Sequence, residues 1–283
     1  MKKFLLWFRI VRPQTLFASL VPVLIGLQTC KDLPKAAYHP VLTAVLTAVC
    51  AVSLQILSNL INEYYDFVRG SDKAGRAGFK RALAEGEVSK KQMLTACCIA
   101  LGIAIITGVY LVLVGGWVIL AIGLTAILFA WLYTATSHSL SYLGIADIFV
   151  FLYYGVVASA GTAYLQTHTF SLTSFHAGAV CGLISMCVLM INNLRDIDSD
   201  REAGKRTLPV RLGKKAAELI MLVEVLLMPV FAWLAFGVSP AMIVGLAGLI
   251  LYAGVLNARG ALYNQCLLFA GLINVLYFVL CLI

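Results

Sequence analysis

Long apolar runs broken by short polar stretches dominate the chain. They lie near 14–29, 40–65, 91–114, 117–135, 143–166, 173–195, 214–236, 239–257 and 264–283. Each is close to the ~20 residues that carry a helix across the hydrocarbon of a bilayer. No stretch alternates with period two, so the pattern predicts an all-α polytopic membrane bundle of nine transmembrane helices with cytoplasmic cap loops. Gly115-Gly116 and Gly237-Val238-Ser239-Pro240 mark tight reversals between neighbours. Met1-Lys2-Lys3 and the apolar Phe4 to Phe8 begin like a signal peptide, but Arg9, Arg12 and Pro13 interrupt the run. The stretch from Gln14 to Thr29 therefore reads as a retained first span. No Pro- or Ser-rich linker divides the chain, which reads as one integral-membrane unit over 1–283.

Composition supports the pattern. Hydrophobic residues make up 61% of the 283 and charged residues 12%, against roughly a quarter charged in soluble domains. The net charge of +8 invites a nucleic-acid reading, but the cations sit at the ends of apolar runs, so no nucleic-acid partner is expected. On the predicted topology, 19 of the 21 Lys and Arg fall on one side and only Lys31 and Lys35 on the other. The positive-inside rule then puts the N-terminus and the large polar loops in the cytoplasm, as in a bacterial inner membrane protein. The eight cysteines lie mostly within apolar runs, with no Cys-x-x-Cys and no zinc spacing. They read as small buried apolar residues.

Two polar blocks stand out at the cytoplasmic ends of apolar runs. The second, Asn192 to Thr207, is dense in carboxylates and cations. If the preceding helix continues through it, Asn192, Asp196 and Asp200 share one face at i, i+4 and i+8. Asp198 falls elsewhere on the wheel. The first block, Asn62-Glu63-Tyr64-Tyr65-Asp66, repeats the Asn-x-x-x-Asp spacing 130 residues earlier, and Asp72 follows after Arg69 and Gly70. Downstream, Lys80-Arg81-Ala82-Leu83 echoes Lys205-Arg206-Thr207-Leu208. The repeated order is that of a duplicated helical unit.

Oxygen ligands without His or Cys favour Mg²⁺, which bridges carboxylates to substrate phosphates. Asn62, Asp66 and Asp72 would form one cation site, and Asn192, Asp196 and Asp200 the other. Four aspartates, two Mg²⁺ and a diphosphate sum to a negative charge at usual ionisation states. Arg69, Lys73, Arg81, Lys205 and Arg206 are placed to offset it, Arg as a planar fork and Lys as a point charge. Within a membrane, the natural carrier of a diphosphate is an isoprenoid chain. Its departure leaves an allylic cation, which Tyr64, Tyr65, Tyr133, Tyr153 and Tyr154 could face with π electrons. Duplicated units with intramembrane acids also occur in transporters, but there the polar groups gather near the midplane rather than at one edge.

The chain resembles the UbiA superfamily of intramembrane aromatic prenyltransferases. The resemblance is carried by Arg12-Pro13-x-Thr15-Leu16, Asn62-x-Tyr64-Tyr65-Asp66-Phe67, Arg69-Gly70-x-Asp72 and Tyr133-Thr134. It continues in Tyr142-Leu143-Gly144, Gly161-Thr162, Asn192-Asn193-x-Arg195-Asp196 and the run from Ala203 to Gly213. The chain is most similar to the branch that prenylates 1,4-dihydroxy-2-naphthoate in menaquinone synthesis. The resemblance implies a nine-helix bundle with a central cavity, two Mg²⁺ on the matched Asn and Asp, and a polyprenyl diphosphate donor. It implies attack by an electron-rich ring on the prenyl cation, with CO₂ leaving in the naphthoate branch. Other members of the superfamily would take 4-hydroxybenzoate, a futalosine-route naphthoate, a porphyrin or a lipid-like alcohol. Three departures stand out: Glu63 where the family usually has Asp, Ser137-His138-Ser139 where the branch often has Gly-Pro-Lys, and Asp147 where it commonly has Glu. The last two fall where the aromatic acceptor is expected, which makes Tyr133, His138 and Asp147 candidates for work on the acceptor. Glu224 lies about ten residues into its apolar run, roughly 15 Å deep, with no evident partner.

Overall fold

The computed structural model describes residues 2–70, 81–132 and 145–283. Among them all regular secondary structure is helical. Helix α1 (Lys2–Val11) and α2 (Pro13–Thr29) meet at a bend of 61°. Pro13 disfavours helical geometry at the residue before it, and Arg12 takes a left-handed conformation with φ 56°. The amide of Asn59 holds the bend from outside, donating to the Val11 carbonyl at 3.1 Å and the Thr15 hydroxyl at 2.8 Å. The expected first span is therefore preceded by an additional helix. On α1, Phe4, Leu5 and Phe8 face outward, while Ile10 is buried and Leu6 and Trp7 pack inward. An apolar surface of that kind suits a helix lying in the membrane interface.

Helix α3 (Pro40–Val68) starts on a proline at its first turn, where the missing N–H has no helical partner to lose. Helix α4 (Lys90–Leu132) is 43 residues long, ~64 Å at helical rise and twice the hydrocarbon thickness. Gly116 breaks it, with φ 68° and ψ −153°, a backbone that only glycine adopts readily. The predicted reversal at Gly115-Gly116 is thus a sharp break between two arms, 90–115 and 117–132, without an intervening loop.

Helices α5 (Ala146–Phe151) and α6 (Val157–Thr167) form one 22-residue span joined by a π-helical turn at Leu152–Val156. Helix α7 (Leu172–Arg195) is capped by Ser171, whose hydroxyl accepts from the Ser174 N–H at 3.3 Å. Short helices α8 (Ile197–Glu202) and α9 (Leu208–Leu212) lead into α10 (Lys214–Phe236), α11 (Val238–Asn257) and α12 (Leu262–Leu280).

The core centres on α7. Its Val180, Ile184, Met190 and Ile191 are buried against Met221, Val225, Val244, Ile273 and Tyr277 of the last three spans, and against Ile25 of α2. Where the α5–α6 span crosses α7, Gly155 lies against Gly178 and Gly182. A Cβ on Gly155 would fall 2.5 Å from the Gly178 carbonyl oxygen. Small residues at such a crossing let two backbones approach without lipid between them.

Seven described helices are long and apolar enough to cross a membrane, and the bent α1–α2 pair would add an eighth. Leu113, Trp117, Leu226, Trp233 and Leu246 face outward. So much exposed apolar surface suits lipid as solvent; the chain is an integral, multi-pass membrane protein.

Candidate active site

The first block ends α3. The helix runs unbroken through Asn62 and Asp66 to Val68, so the two side chains share a face one turn apart. The Asp66 carboxylate is 2% exposed. A buried carboxylate demands a counter-charge, and the partner comes from the other block. The Lys205 ammonium lies 3.3 Å from both Asp66 oxygens and 3.9 Å from the Asp200 carboxylate. One cation therefore bridges two acidic groups 134 positions apart in the chain. The carboxylates of Asp66 and Asp200 are no more than two ionic contacts apart, within reach of a single diphosphate.

Lys205 reaches inward because the chain folds back on α8. Its N–H donates to the Asp200 carbonyl at 2.8 Å, and the turn passes through Gly204 at φ 73°. Arg206, next in sequence, is exposed. Asp198 is 88% exposed and contacts only surface charge, with Arg201 at 3.5 Å.

The expectation that one helix continues from Asn192 to Asp200 is corrected in part. The i to i+4 backbone bonds do continue, with the Asp196 N–H on Asn192 at 3.0 Å and the Asp200 N–H on Asp196 at 2.8 Å. Asp196 itself departs from helical geometry, at φ −99° and ψ 13°, between α7 and α8. Its carboxylate accepts a bidentate fork from Arg195, at 2.8 Å from Nε and 2.7 Å from Nη2. A third Arg195 nitrogen donates to the Asn264 amide oxygen on α12 at 2.8 Å. The Asn192 amide nitrogen donates to the Val188 carbonyl at 3.0 Å.

The other predicted residues make separate contacts. Arg81 donates to the Asn62 amide oxygen at 3.3 Å. Arg69 lies over the Tyr65 ring at 5.8 Å, and Tyr65 meets Tyr64 edge-on at 5.3 Å. Tyr64 packs with the apolar cluster of Leu57, Leu60 and Leu83, which makes it a packing residue as much as a site residue. Tyr154 faces Ser58, one turn before Asn62. Tyr153 turns the other way, donating to Thr125 at 2.6 Å and packing on Phe129. The sequence weighed these two tyrosines alike, and the π-helical turn that carries them separates them. Asp147 is buried in the first turn of α5, with one carboxylate oxygen lacking a hydrogen-bond partner. Asp72, Lys73, Tyr133 and His138 lie outside the described residues.

Two further groups went unassigned in the sequence. Glu224 gains a partner, the Cys187 thiol of α7 at 3.4 Å. Glu63, read only as a departure from the usual Asp, is buried and ionically paired with Arg12 at 3.3 Å. No spacing rule reports such a contact, since Arg12 is brought by the bend before α2.

The donor set fits a hard cation. Every candidate ligand is an oxygen, and an ammonium already lies between carboxylates of the two blocks. Among the described residues no three His, Cys, Asp or Glu side chains could enclose a metal by themselves. Mg²⁺ takes oxygen ligands of this kind and keeps part of its shell for water and substrate phosphate.

The chain matches the UbiA prenyltransferase family over residues 19–279. The 1,4-dihydroxy-2-naphthoate octaprenyltransferase of Escherichia coli (strain K12) is 38% identical over 216 residues, which cover 74% of this chain and 68% of the relative. The protein of the same name from Mycobacterium leprae (strain TN) is 36% identical over 213 residues, covering 75% and 71%. A UbiA homolog from Archaeoglobus fulgidus bound to DMAPP and Mg²⁺ has a TM-score of 0.71 at 17% identity, covering 98% of this chain and 97% of that one. The same homolog bound to GPP and Mg²⁺ gives 0.67 at 18%, covering 98% of each. At that identity the likeness is one of fold.

Proposed function

Since the chain belongs to the UbiA prenyltransferase family, we propose that it transfers a polyprenyl group from polyprenyl diphosphate to 1,4-dihydroxy-2-naphthoate in menaquinone synthesis. The observation that carries this reading is the bridge from Lys205 to Asp66 and Asp200, which joins the two acidic blocks into one site. The relatives named for that reaction support the choice of acceptor.

In this reading Asn62, Asp66 and Asp72 hold one Mg²⁺, and Asn192, Asp196 and Asp200 hold a second. When bound, the ions neutralise charge that develops on the departing diphosphate. Arg69, Lys73, Arg81, Lys205 and Arg206 take the remaining phosphate oxygens, which stabilises the leaving group by electrostatics alone. The prenyl C–O bond breaks with its electron pair going to the diphosphate. Tyr65 and Tyr154, on the side of Asn62 and Asp66, border the resulting allylic cation. A ring carbon of the acceptor forms the new C–C bond. Its carboxylate departs as CO₂, and the released pair restores aromaticity. Tyr133, Asp147 and His138 orient the acceptor.

All nine crossings exist if both arms of α4 span, together with the α1–α2 pair. The N-terminus and both blocks then lie on the cytoplasmic side of a bacterial inner membrane, where 19 of 21 cations gather.

The test is protein purified in detergent, supplied with a polyprenyl diphosphate, Mg²⁺ and 1,4-dihydroxy-2-naphthoate. The expected result is a prenylated naphthol by mass spectrometry with one CO₂ released per transfer. Prenylation of another acceptor without CO₂ release would move the assignment within the family. An absence of product with every aromatic acceptor would overturn it.

A further inference from the structure

We propose that Glu63 is a positioning residue whose buried carboxylate fixes the Arg81 guanidinium against Asn62. It thereby sets the diphosphate-binding end of the site before substrate arrives. This rests on the reading of Arg81 as a diphosphate ligand.

Glu63 follows Asn62 and so points about 100° around the helix from it. It is 2% exposed, and a carboxylate so buried is held by its partners. Among the described residues there are three, from three parts of the chain. Arg12, at the bend between α1 and α2, donates to Oε2 at 3.3 Å. The backbone N–H of Leu83 donates to Oε1 at 3.2 Å. One terminal nitrogen of Arg81 lies 4.0 Å from Oε2, while the other donates to the Asn62 amide oxygen at 3.3 Å.

The Arg81 fork thus straddles two consecutive side chains of the first block. Its planar geometry means that anchoring one nitrogen aims the other. The backbone behind it is fixed as well. Ala82 and Leu83 are buried in the apolar cluster with Leu57 and Leu60 of α3, and the Leu83 bond to Glu63 pins that segment to the same helix. Arg81 is therefore held at both ends, by its backbone and by its guanidinium. A cation fixed in advance gives up less freedom when the phosphate binds. With its oxygens on these donors, Glu63 shapes the site from behind rather than touching substrate.

The test is a double-mutant cycle with Glu63→Gln and Arg81→Gln. Glu63→Gln keeps shape and an acceptor for Leu83 but removes the charge that draws Arg81. The expected result is a rise of about tenfold in KM for polyprenyl diphosphate and in Kd for inorganic diphosphate measured with Mg²⁺ by calorimetry. At the same time kcat and the acceptor KM stay within about twofold. In the Glu63→Gln background, Arg81→Gln adds less than about threefold. An unmoved Kd in Glu63→Gln, or effects that multiply, would overturn the proposal. So would kcat and both KM values shifting together, as a general loss of structure produces. If Glu63→Gln does not accumulate, Glu63→Asp serves, because it keeps the charge but withdraws it by one methylene. Its diphosphate Kd is expected between those of wild type and Arg81→Gln, and a wild-type value overturns the proposal. Failure of the wild type to bind any diphosphate would instead remove the reading on which this one rests.

Discussion

The two acidic blocks share a spacing and differ in state. In the first, α3 continues through Asn62 and Asp66, and the buried Asp66 carboxylate looks across the site to a cation of the other block. In the second, α7 stops at Arg195, and Asp196 sits at the break with its carboxylate in a bidentate pair with its own neighbour. The first block is a rigid helical rail. The second is a hinge, in which Asp196 must exchange a guanidinium for any cation it receives. A duplicated sequence has thus produced one arm that stays helical through its acidic residues and one that leaves helical geometry at Asp196.

The largest test of the comparison removes each arm in turn. Asp66→Ala and Asp196→Ala are each expected to lower kcat by about 10³ or more, with membrane expression and thermal midpoint retained. Chelation by EDTA should have the same effect and be reversed by added Mg²⁺. If Asp196→Ala kept near-wild-type turnover, the hinge would lie outside the site and only the rail would remain.

Lys205 tests the link between the arms. Lys205→Met keeps length and loses the charge between Asp66 and Asp200. A loss of about 10²-fold in kcat/KM for polyprenyl diphosphate is expected, read from initial rates at saturating acceptor. Without the ammonium, the two acidic groups lose the positive charge that lies between them, so the apparent need for Mg²⁺ should rise as well. Unchanged kcat/KM would mean that the bridge is only a resting contact.

Much of this is legible in the amino-acid sequence. Helix positions followed from apolar run length, because a bilayer imposes one span length on every element. The pairing of the blocks followed from their repeated order. What spacing could not show was the local state of each. Asp196 leaves helical geometry while keeping its backbone bonds to Asn192 and Asp200, so the i, i+4, i+8 pattern hides the break. Tyr153 and Tyr154 are equivalent in a string of letters, yet one serves α4 and the other faces α3. The partners of Glu63 and Glu224 come from distant helices, a pairing set by packing. Helix α1 was missed because its charges disqualified it as a span, although the same charges suit an interfacial helix.

A smaller effect is expected where the hinge is held. Asn264 fixes the third Arg195 nitrogen. Asn264→Ala leaves that nitrogen buried without the amide oxygen, which loosens the fork on Asp196. The Mg²⁺ concentration for half-maximal activity should then fall about threefold, with kcat little changed. A rise instead would mean that Arg195 prepares Asp196 for the cation and does not compete for it.

The smallest effect belongs to the residue that only composition would select. Asp198 lies between Asp196 and Asp200 in the densest acidic run of the chain, and a count of carboxylates would include it. Its side chain is 88% exposed and its pairing with Arg201 is of the surface kind, which contributes little in water. Asp198→Asn is expected to change kcat and the Mg²⁺ requirement by less than about twofold. Asp200→Asn, two residues on, should lower activity by about 10²-fold. The same change of one atom, applied to neighbouring carboxylates, then separates position on the helix from local charge density. Equal losses at both sites would mean that the block acts as a diffuse negative field. A large difference ties the chemistry to the face that Lys205 touches.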